Sequence, residues 1–153
     1  MTENISLYRG FTKKLEDGIQ INNYLCSPRY PVNTNRIVHE TADQWFYEKF
    51  GIRARSQTIL CSTNIDQARD YCSNSGSLAL IEPIGEYSIV FSTQVSDFLK
   101  YVMDGVCANE NEIVNWLSSQ NYKSATSINS LPTHHRGEVM LFCEKYNIKN
   151  LSI

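Results

Sequence analysis

Apolar positions along the chain follow two different spacings. Between residues 37 and 50 they recur every three or four positions, which is typical of a helix with one buried face. Gly51 comes directly after the last of them and ends the predicted helix. The complete set of predicted helices is Ile37–Phe50, Ile65–Cys72, Val95–Met103 and Glu110–Ser118. We expect the first of these to pack on one face of a sheet.

Short apolar runs bounded by turn residues predict strands. They are Ser6–Phe11, Gln57–Cys61, Leu78–Ile84, Tyr87–Phe91 and Glu138–Tyr146. A turn at Pro83–Gly85 separates the third from the fourth, residues 12–35 are predicted as a loop or hairpin, and residues 120–137 as irregular. Because helices and strands are intermixed without a regular strand–helix–strand repeat, the sequence predicts an α+β fold with a mainly antiparallel core.

Composition narrows the class of protein. With 153 residues, 42% hydrophobic and 20% charged, the chain has the size of a single globular domain over residues 1–153. The formal net charge of −2 argues against tight, non-specific nucleic-acid binding. The longest apolar stretch, Leu78–Ile84, is far shorter than the roughly 20 residues of a membrane span. We therefore expect no membrane association.

The cysteines predict reduced thiols. Their number is odd, and no CxxC motif or nearby histidine completes a zinc site. His39, His134 and His135 also show no spacing that favours a metal or a Cys–His nucleophile. We expect a cytoplasmic protein without metal, in which five thiols act as small hydrophobic groups: Cys26, Cys61, Cys72, Cys107 and Cys143.

Three separated features carry candidate chemistry. The first is Leu7-Tyr8-Arg9-Gly10, an arginine on a strand before a glycine. The second is the apolar run that ends in Ser62-Thr63-Asn64 and is followed by Ala68 and Tyr71. The third is Arg136-Gly137-Glu138, an acidic residue that enters an apolar strand. Taken singly, they are typical of a surface arginine, a helix cap and a solvated glutamate.

Together and in this order, the three features resemble the arginine–serine–glutamate signature of the mono-ADP-ribosyltransferase family. The resemblance implies an ADP-ribosyltransferase-like fold with split, mainly antiparallel sheets and helices on one side. It also implies NAD⁺ as substrate and a host protein or nucleic acid as acceptor. The segment Pro28–Tyr71 is in addition similar to short bacteriophage proteins, which places the expected activity in the host cytoplasm.

The resemblance also implies residue roles. Arg9 would hold a phosphate or ribose of NAD⁺, Ser62 would orient the acid or the nicotinamide ribose, and Glu138 would stabilise positive charge as nicotinamide leaves. Gly10, Thr63 and Tyr71 complete the implied NAD⁺-binding set. Chemically, a fixed carboxylate beside an oxocarbenium-like centre lowers the barrier to N-glycosidic cleavage.

The sequence departs from the family pattern at two places. Arg136 stands two positions before Glu138, where arginine-modifying members have Glu and many others Gln, and Asn64 replaces a hydroxyl residue. Two other hypotheses therefore stay open. One is a catalytically inactive protein of the same fold that inhibits a host defence complex, and the other is a structural or interaction protein with an accidental likeness.

Overall fold

A computed structural model describes residues 5–31, 36–98 and 109–151. Its strands are β1 (Leu7–Phe11), β2 (Gly18–Ile21), β3 (Ile59–Ser62), β4 (Ser77–Phe91), β5 (Lys123–Ala125) and β6 (Glu138–Asn150). Its helices are α1 (Arg36–Phe50), α2 (Ile65–Arg69) and α3 (Glu110–Ser119), with short 3₁₀ turns at Asn23–Leu25 and Ile128–Ser130. Helices are thus combined with an antiparallel sheet, which confirms the α+β class.

The six strands form one connected sheet in the order β2-β6-β3-β1-β4-β5, and all of its pairings are antiparallel. Strands β4 and β6 also pair directly along most of their length. The sequence of pairings β1–β4–β6–β3–β1 therefore returns to its starting strand. The resemblance implied split sheets, whereas here the long strands β4 and β6 pair with each other and connect all six strands into one sheet.

Strand β4 corrects one prediction. The two strands expected at Leu78–Ile84 and Tyr87–Phe91 are halves of a single strand, and no chain reversal occurs at Pro83–Gly85. Both halves pair with β6, and the register shifts between Ile84 and Tyr87. Gly85 has a φ of 76°, a conformation that glycine adopts without the steric cost of a side chain. A glycine with positive φ thus occurs at a bulge inside a strand as it does at a turn, and the local sequence did not distinguish the two.

Two cores lie on the sheet. The first consists of sheet residues and Leu131, and the second lies between the sheet and helices α1 and α3. Helix α1 buries Val38, Ala42 and Phe46 there, and α3 contributes Ile113 and Leu117. The predicted packing of α1 on one face is confirmed. In the described part of the chain, no helix is long and apolar enough to cross a membrane.

The remaining helix predictions have mixed outcomes. Helix α2 is shorter than predicted, and Asn64 caps it by accepting from the backbone N–H groups of Asp66 and Gln67. The sequence pattern of this helix predicts that Ala68 and Tyr71 both face inward; Ala68 is buried, but the prediction is wrong for Tyr71, whose side chain is exposed. Of the helix predicted at Val95–Met103, residues 99–103 lie outside the described residues, and Val95 forms an isolated β-bridge instead.

Two strands were not predicted. Strand β2 lies in the segment expected to be a loop or hairpin and pairs with the distal part of β6, so β6 continues four residues beyond the expected Tyr146. Strand β5 lies in the segment expected to be irregular and pairs with the end of β4. The four described cysteines have free thiols: Cys61 and Cys143 are buried, as expected for small hydrophobic groups, whereas Cys26 is exposed and departs from that expectation.

Candidate functional site

A cleft opens where β1 and β3 separate. The two strands share a single register pair, Tyr8 with Ser62. Beside this pair, Arg9 Nη1 donates across the gap to the Leu60 carbonyl oxygen at 2.8 Å. The cleft has a volume of about 540 Å³, within the range of about 300–1,000 Å³ that is typical of small-molecule sites.

Several parts of the fold supply the walls, and α1 contributes His39 to them. The other parts are β1 with the residues after it, the 3₁₀ turn and loop up to Pro31, β3 with α2, and the segments around Arg55, Asp97 and Glu138. The lining side chains combine aromatic rings with charged groups, among them Tyr8, Phe11, Lys13, Tyr24, Arg29, Tyr30, His39 and Gln67.

Five of the six predicted site residues line this one cleft: Arg9, Gly10, Ser62, Tyr71 and Glu138. The register explains why residues so far apart in sequence meet. Ser62 pairs with Tyr8 of β1 on one side and with Glu138 of β6 on the other. The three sequence features therefore lie on three adjacent strands.

Thr63 does not line the cleft. Its hydroxyl donates to the His135 carbonyl at 2.9 Å and accepts from the Gly137 N–H at 3.0 Å. The Thr63 N–H also donates to the Gly137 carbonyl at 3.0 Å. Consecutive side chains of an extended chain point to opposite sides, so Ser62 and Thr63 cannot both face the ligand. Thr63 thus connects the end of β3 to the segment before Glu138 by hydrogen bonds.

Gly10 allows helix α2 to pack directly on β1. A Cβ atom at this position would lie 2.1 Å from the Ala68 carbonyl oxygen and 2.9 Å from the Cys72 N–H nitrogen. Both are backbone atoms, so no side-chain rotation could relieve the contact. The glycine therefore determines how closely α2 approaches the cleft.

Ser62 is bonded to its own neighbourhood. Its hydroxyl donates to Gln67 Oε1 at 2.5 Å and accepts from the Asn64 N–H at 2.9 Å. Gln67 in turn donates to the Ser96 carbonyl at 2.8 Å. Of the two roles that the resemblance implied for Ser62, orienting the acid or the nicotinamide ribose, a hydrogen bond to Glu138 is not seen among the described contacts. Its hydroxyl instead links β3 to α2 at the edge of the cleft.

Glu138 forms an ion pair with Arg55 that the sequence did not predict. Arg55 Nη1 lies 3.1 Å from Glu138 Oε1, and the two side chains are only 4% and 13% exposed. Burial raises the pKa of Glu138 above its ordinary value, and the nearby Asp97 adds to this effect. The guanidinium of Arg55 and the Phe98 N–H lower the pKa and partly offset the rise.

Arg29 is a second arginine that sequence reasoning missed. Its Nη1 and Nη2 donate to the Arg55 and Thr58 carbonyl oxygens at 2.9 and 2.8 Å. Its guanidinium carbon lies 3.9 Å from the ring centre of Tyr24. Burial alone would raise the pKa of Tyr24, but the charges of Arg29 and Arg9 lower it overall. This wall of the cleft is therefore electropositive.

The charges of the lining favour an anionic ligand. Arg9, Lys13, Arg29 and Arg55 line the cleft, and its carboxylates are Glu138 and Asp97. Clefts with an excess of one sign attract ligands of the opposite sign. Of these four cations, only Arg9 was selected from the sequence, since Lys13, Arg29 and Arg55 lie between regular elements.

At the mouth of the cleft, the Tyr71 hydroxyl donates to Asp97 Oδ2 at 2.8 Å. Burial, together with this hydrogen bond and the carboxylate charge, raises the pKa of Tyr71. Tyr71 thus remains a neutral hydroxyl at physiological pH and connects the end of α2 to the segment next to Glu138.

Comparisons with protein-family models, with curated proteins and with solved structures find no match to this chain. The chemistry of the cleft is therefore the guide to the function of the protein. Among residues 5–31, 36–98 and 109–151, no group of three or more His, Cys, Asp or Glu side chains could hold a metal ion.

Proposed function

We propose that this protein is an NAD⁺-dependent mono-ADP-ribosyltransferase that modifies a macromolecular acceptor. The observation that carries the proposal is that Arg9, Ser62 and Glu138 line one cleft on adjacent strands. These residues were selected from the sequence for their order and type alone. That all three line one cleft supports the resemblance, because their order in the sequence does not by itself bring them together.

The lining of the cleft suits a dinucleotide. Guanidinium groups form paired, charge-assisted hydrogen bonds with phosphate oxygens, and Arg9 and Arg29 provide such groups on one wall. Tyrosine rings provide flat surfaces for a base or a nicotinamide, and Tyr8, Tyr24 and Tyr30 lie in the same lining. The acceptor would be a protein or a nucleic acid.

Glu138 would act on the reacting ribose. In the transfer, the bond between ribose C1′ and the nicotinamide nitrogen breaks, and its electron pair neutralises the pyridinium. Positive charge develops at C1′ until the acceptor nucleophile bonds there and releases its proton. A carboxylate in a largely buried position stabilises such charge more strongly than one in water. Nicotinamide leaves as a neutral molecule and needs no general acid.

The test is release of nicotinamide from labelled NAD⁺, together with labelling of macromolecules in a cell lysate. We expect Glu138→Gln to lower kcat by about 10²–10³-fold with a small change in KM, because the amide keeps the shape but loses the charge. Arg9→Ala should lower kcat and should also raise KM for NAD⁺, because it removes a contact with the phosphate or ribose.

Glu144→Gln is the matched control, since Glu144 is an exposed glutamate on the same strand β6. It should leave both kinetic constants unchanged. A wild-type protein that neither releases nicotinamide nor labels a macromolecule would exclude the enzymatic function, and full activity of Glu138→Gln would exclude the role of Glu138.

A second candidate function is binding without catalysis, as in an inhibitor of a host defence complex. The Arg55–Glu138 ion pair favours it, because the positive charge of Arg55 opposes the stabilisation of a second cation by the same carboxylate. In this case the protein would capture its partner equally well with Glu138→Gln, and it would release no nicotinamide.

A further inference from the structure

Arg55 is held in place by contacts that do not involve Glu138. Its backbone N–H donates to Asp43 Oδ1 at 3.0 Å, and Asp43 also accepts from the Ser56 N–H at 2.8 Å and from its hydroxyl at 2.7 Å. Asp43 lies on α1, so a helix of the second core fixes the loop that carries Arg55. Helix α1 therefore anchors the Arg55 backbone, whereas Glu138 lies on strand β6.

The guanidinium of Arg55 is also confined. Its carbon lies 4.2 Å from the ring centre of Phe98, and Nη1 contacts Met140 Sδ at 3.4 Å. Its Nε is buried and has no hydrogen-bond partner among the described residues. Since so few hydrogen-bond acceptors reach this group, the carboxylate of Glu138 is its principal one.

We propose that Arg55 is a positioning residue for Glu138, which fixes the orientation of that carboxylate in the cleft. The inference depends on the proposed function, because it gives Arg55 a part in the same site. It assigns to Arg55 the contact with the acid that the resemblance implied for Ser62, whose hydroxyl is bonded to Gln67 instead. An arginine has the reach and the charge that a serine lacks.

The charge balance at Glu138 supports this role. The charged and titratable groups that interact electrostatically with it are Arg55, Asp97, Tyr71, Tyr122 and Cys61, and His135 Nε2 lies 3.2 Å from the Glu138 backbone oxygen. Arg55 is the one cation in this set. Burial and Asp97 raise the pKa of Glu138, so loss of Arg55 should raise it further. The carboxylate would then take up a proton closer to neutral pH.

The experiment compares wild type with Arg55→Met and Arg55→Lys. The first removes the charge at similar length, and the second keeps the charge but loses the planar fork. Two measurements are made on each protein: the pH profile of kcat and KM for nicotinamide release, and the titration of the Glu138 side-chain carboxyl followed by ¹³C NMR without NAD⁺.

For Arg55→Met we expect the NMR titration and the acidic limb of kcat to move upward by about one pH unit or more. At neutral pH, kcat should fall by about 10-fold or more while KM changes by less than about threefold, as for loss of an interaction at the reacting centre. Arg55→Lys should lie between wild type and Arg55→Met.

Arg36→Met is the control, since Arg36 is an exposed arginine on α1 that pairs with Glu40 and does not line the cleft. It should leave the titration of Glu138 and the kinetic constants unchanged. If Arg55→Met does not fold, Arg55→Lys decides: full wild-type kcat and an unshifted titration in that variant would overturn the proposal.

The two measurements separate the inference from the proposed function. If wild type releases no nicotinamide, the proposed function fails, and the NMR titration still decides whether Arg55 controls the charge of Glu138. If wild type is active and Arg55→Met has an unchanged pH profile and titration, Arg55 does not position Glu138.

Discussion

Gly10→Ala is expected to disturb both the stability and the site of this protein. The added Cβ would meet the Ala68 carbonyl oxygen at 2.1 Å, whereas Cβ atoms do not come closer than 3.0 Å to such neighbours. Because Ala68 O is a backbone atom, α2 has to move away from β1 by about 1 Å in a close-packed interior. Forced overpacking of this kind costs typically about 1–3 kcal/mol in the free energy of unfolding.

The same displacement should reduce catalysis more than it reduces stability. Helix α2 carries Gln67, which holds the Ser62 hydroxyl and reaches Ser96 next to Glu138. A misplacement of about 1 Å at a reacting centre can cost about 10²-fold in rate. We therefore expect folded Gly10→Ala to release nicotinamide about 10²-fold more slowly than wild type.

Urea unfolding and nicotinamide release, both near neutral pH, measure the two effects. Gly51→Ala provides the comparison, because Gly51 has a φ of 73° with no atom within 4 Å of an added Cβ. It should lose about 1–2 kcal/mol from backbone strain and keep wild-type kcat. If Gly10→Ala is as stable as wild type, the close approach of α2 is wrong. If it loses stability but keeps wild-type kcat, α2 does not set the geometry of the site.

Two further predictions concern stability. Phe46→Ala should lower the free energy of unfolding, measured in urea, by about 3–5 kcal/mol, since Phe46 is 0% exposed in the second core. Its neighbour Tyr47 is 47% exposed, so Tyr47→Ala should lower it by about 1 kcal/mol or less. Equal losses in the two variants would contradict the placement of that core. Burial, with the charge of Arg55, lowers the pKa of His39 in the folded protein. Below about pH 6.5 the unfolded chain therefore binds more protons than the folded chain, and the free energy of unfolding should decrease as the pH is lowered. His39→Gln should show a smaller loss between about pH 7.5 and 5.5, and an unchanged slope would contradict this sign.

Local sequence patterns were sufficient for most elements. Helix α1 has apolar residues at helical spacing and a glycine directly after its end, so the sequence predicted it to within one residue. Strands β1, β3 and β6 are apolar runs next to turn residues, and they too were recognised. Strand β2 was missed because its four residues, Gly18–Ile21, stabilise a strand only through pairing with β6, which lies far away in sequence.

The candidate site shows the same division. The sequence by itself determined the type and order of these residues, and Arg9, Ser62 and Glu138 were selected because that order resembles the arginine–serine–glutamate signature. The tertiary structure decided their relation, because one register pair joins β1 to β3 and the next joins Ser62 to Glu138. A shift of one residue in either pairing would turn one of these side chains to the other face.

Arg55 and Arg29 could be found only in the tertiary structure. Both lie in irregular segments, where no periodicity indicates which way a side chain points. Their partners are Asp43 on α1, Glu138 on β6 and carbonyl oxygens before β3. A local pattern records the burial and spacing of neighbouring residues, whereas the charge and pKa of a site depend on groups that the folded chain brings within a few ångströms of one another.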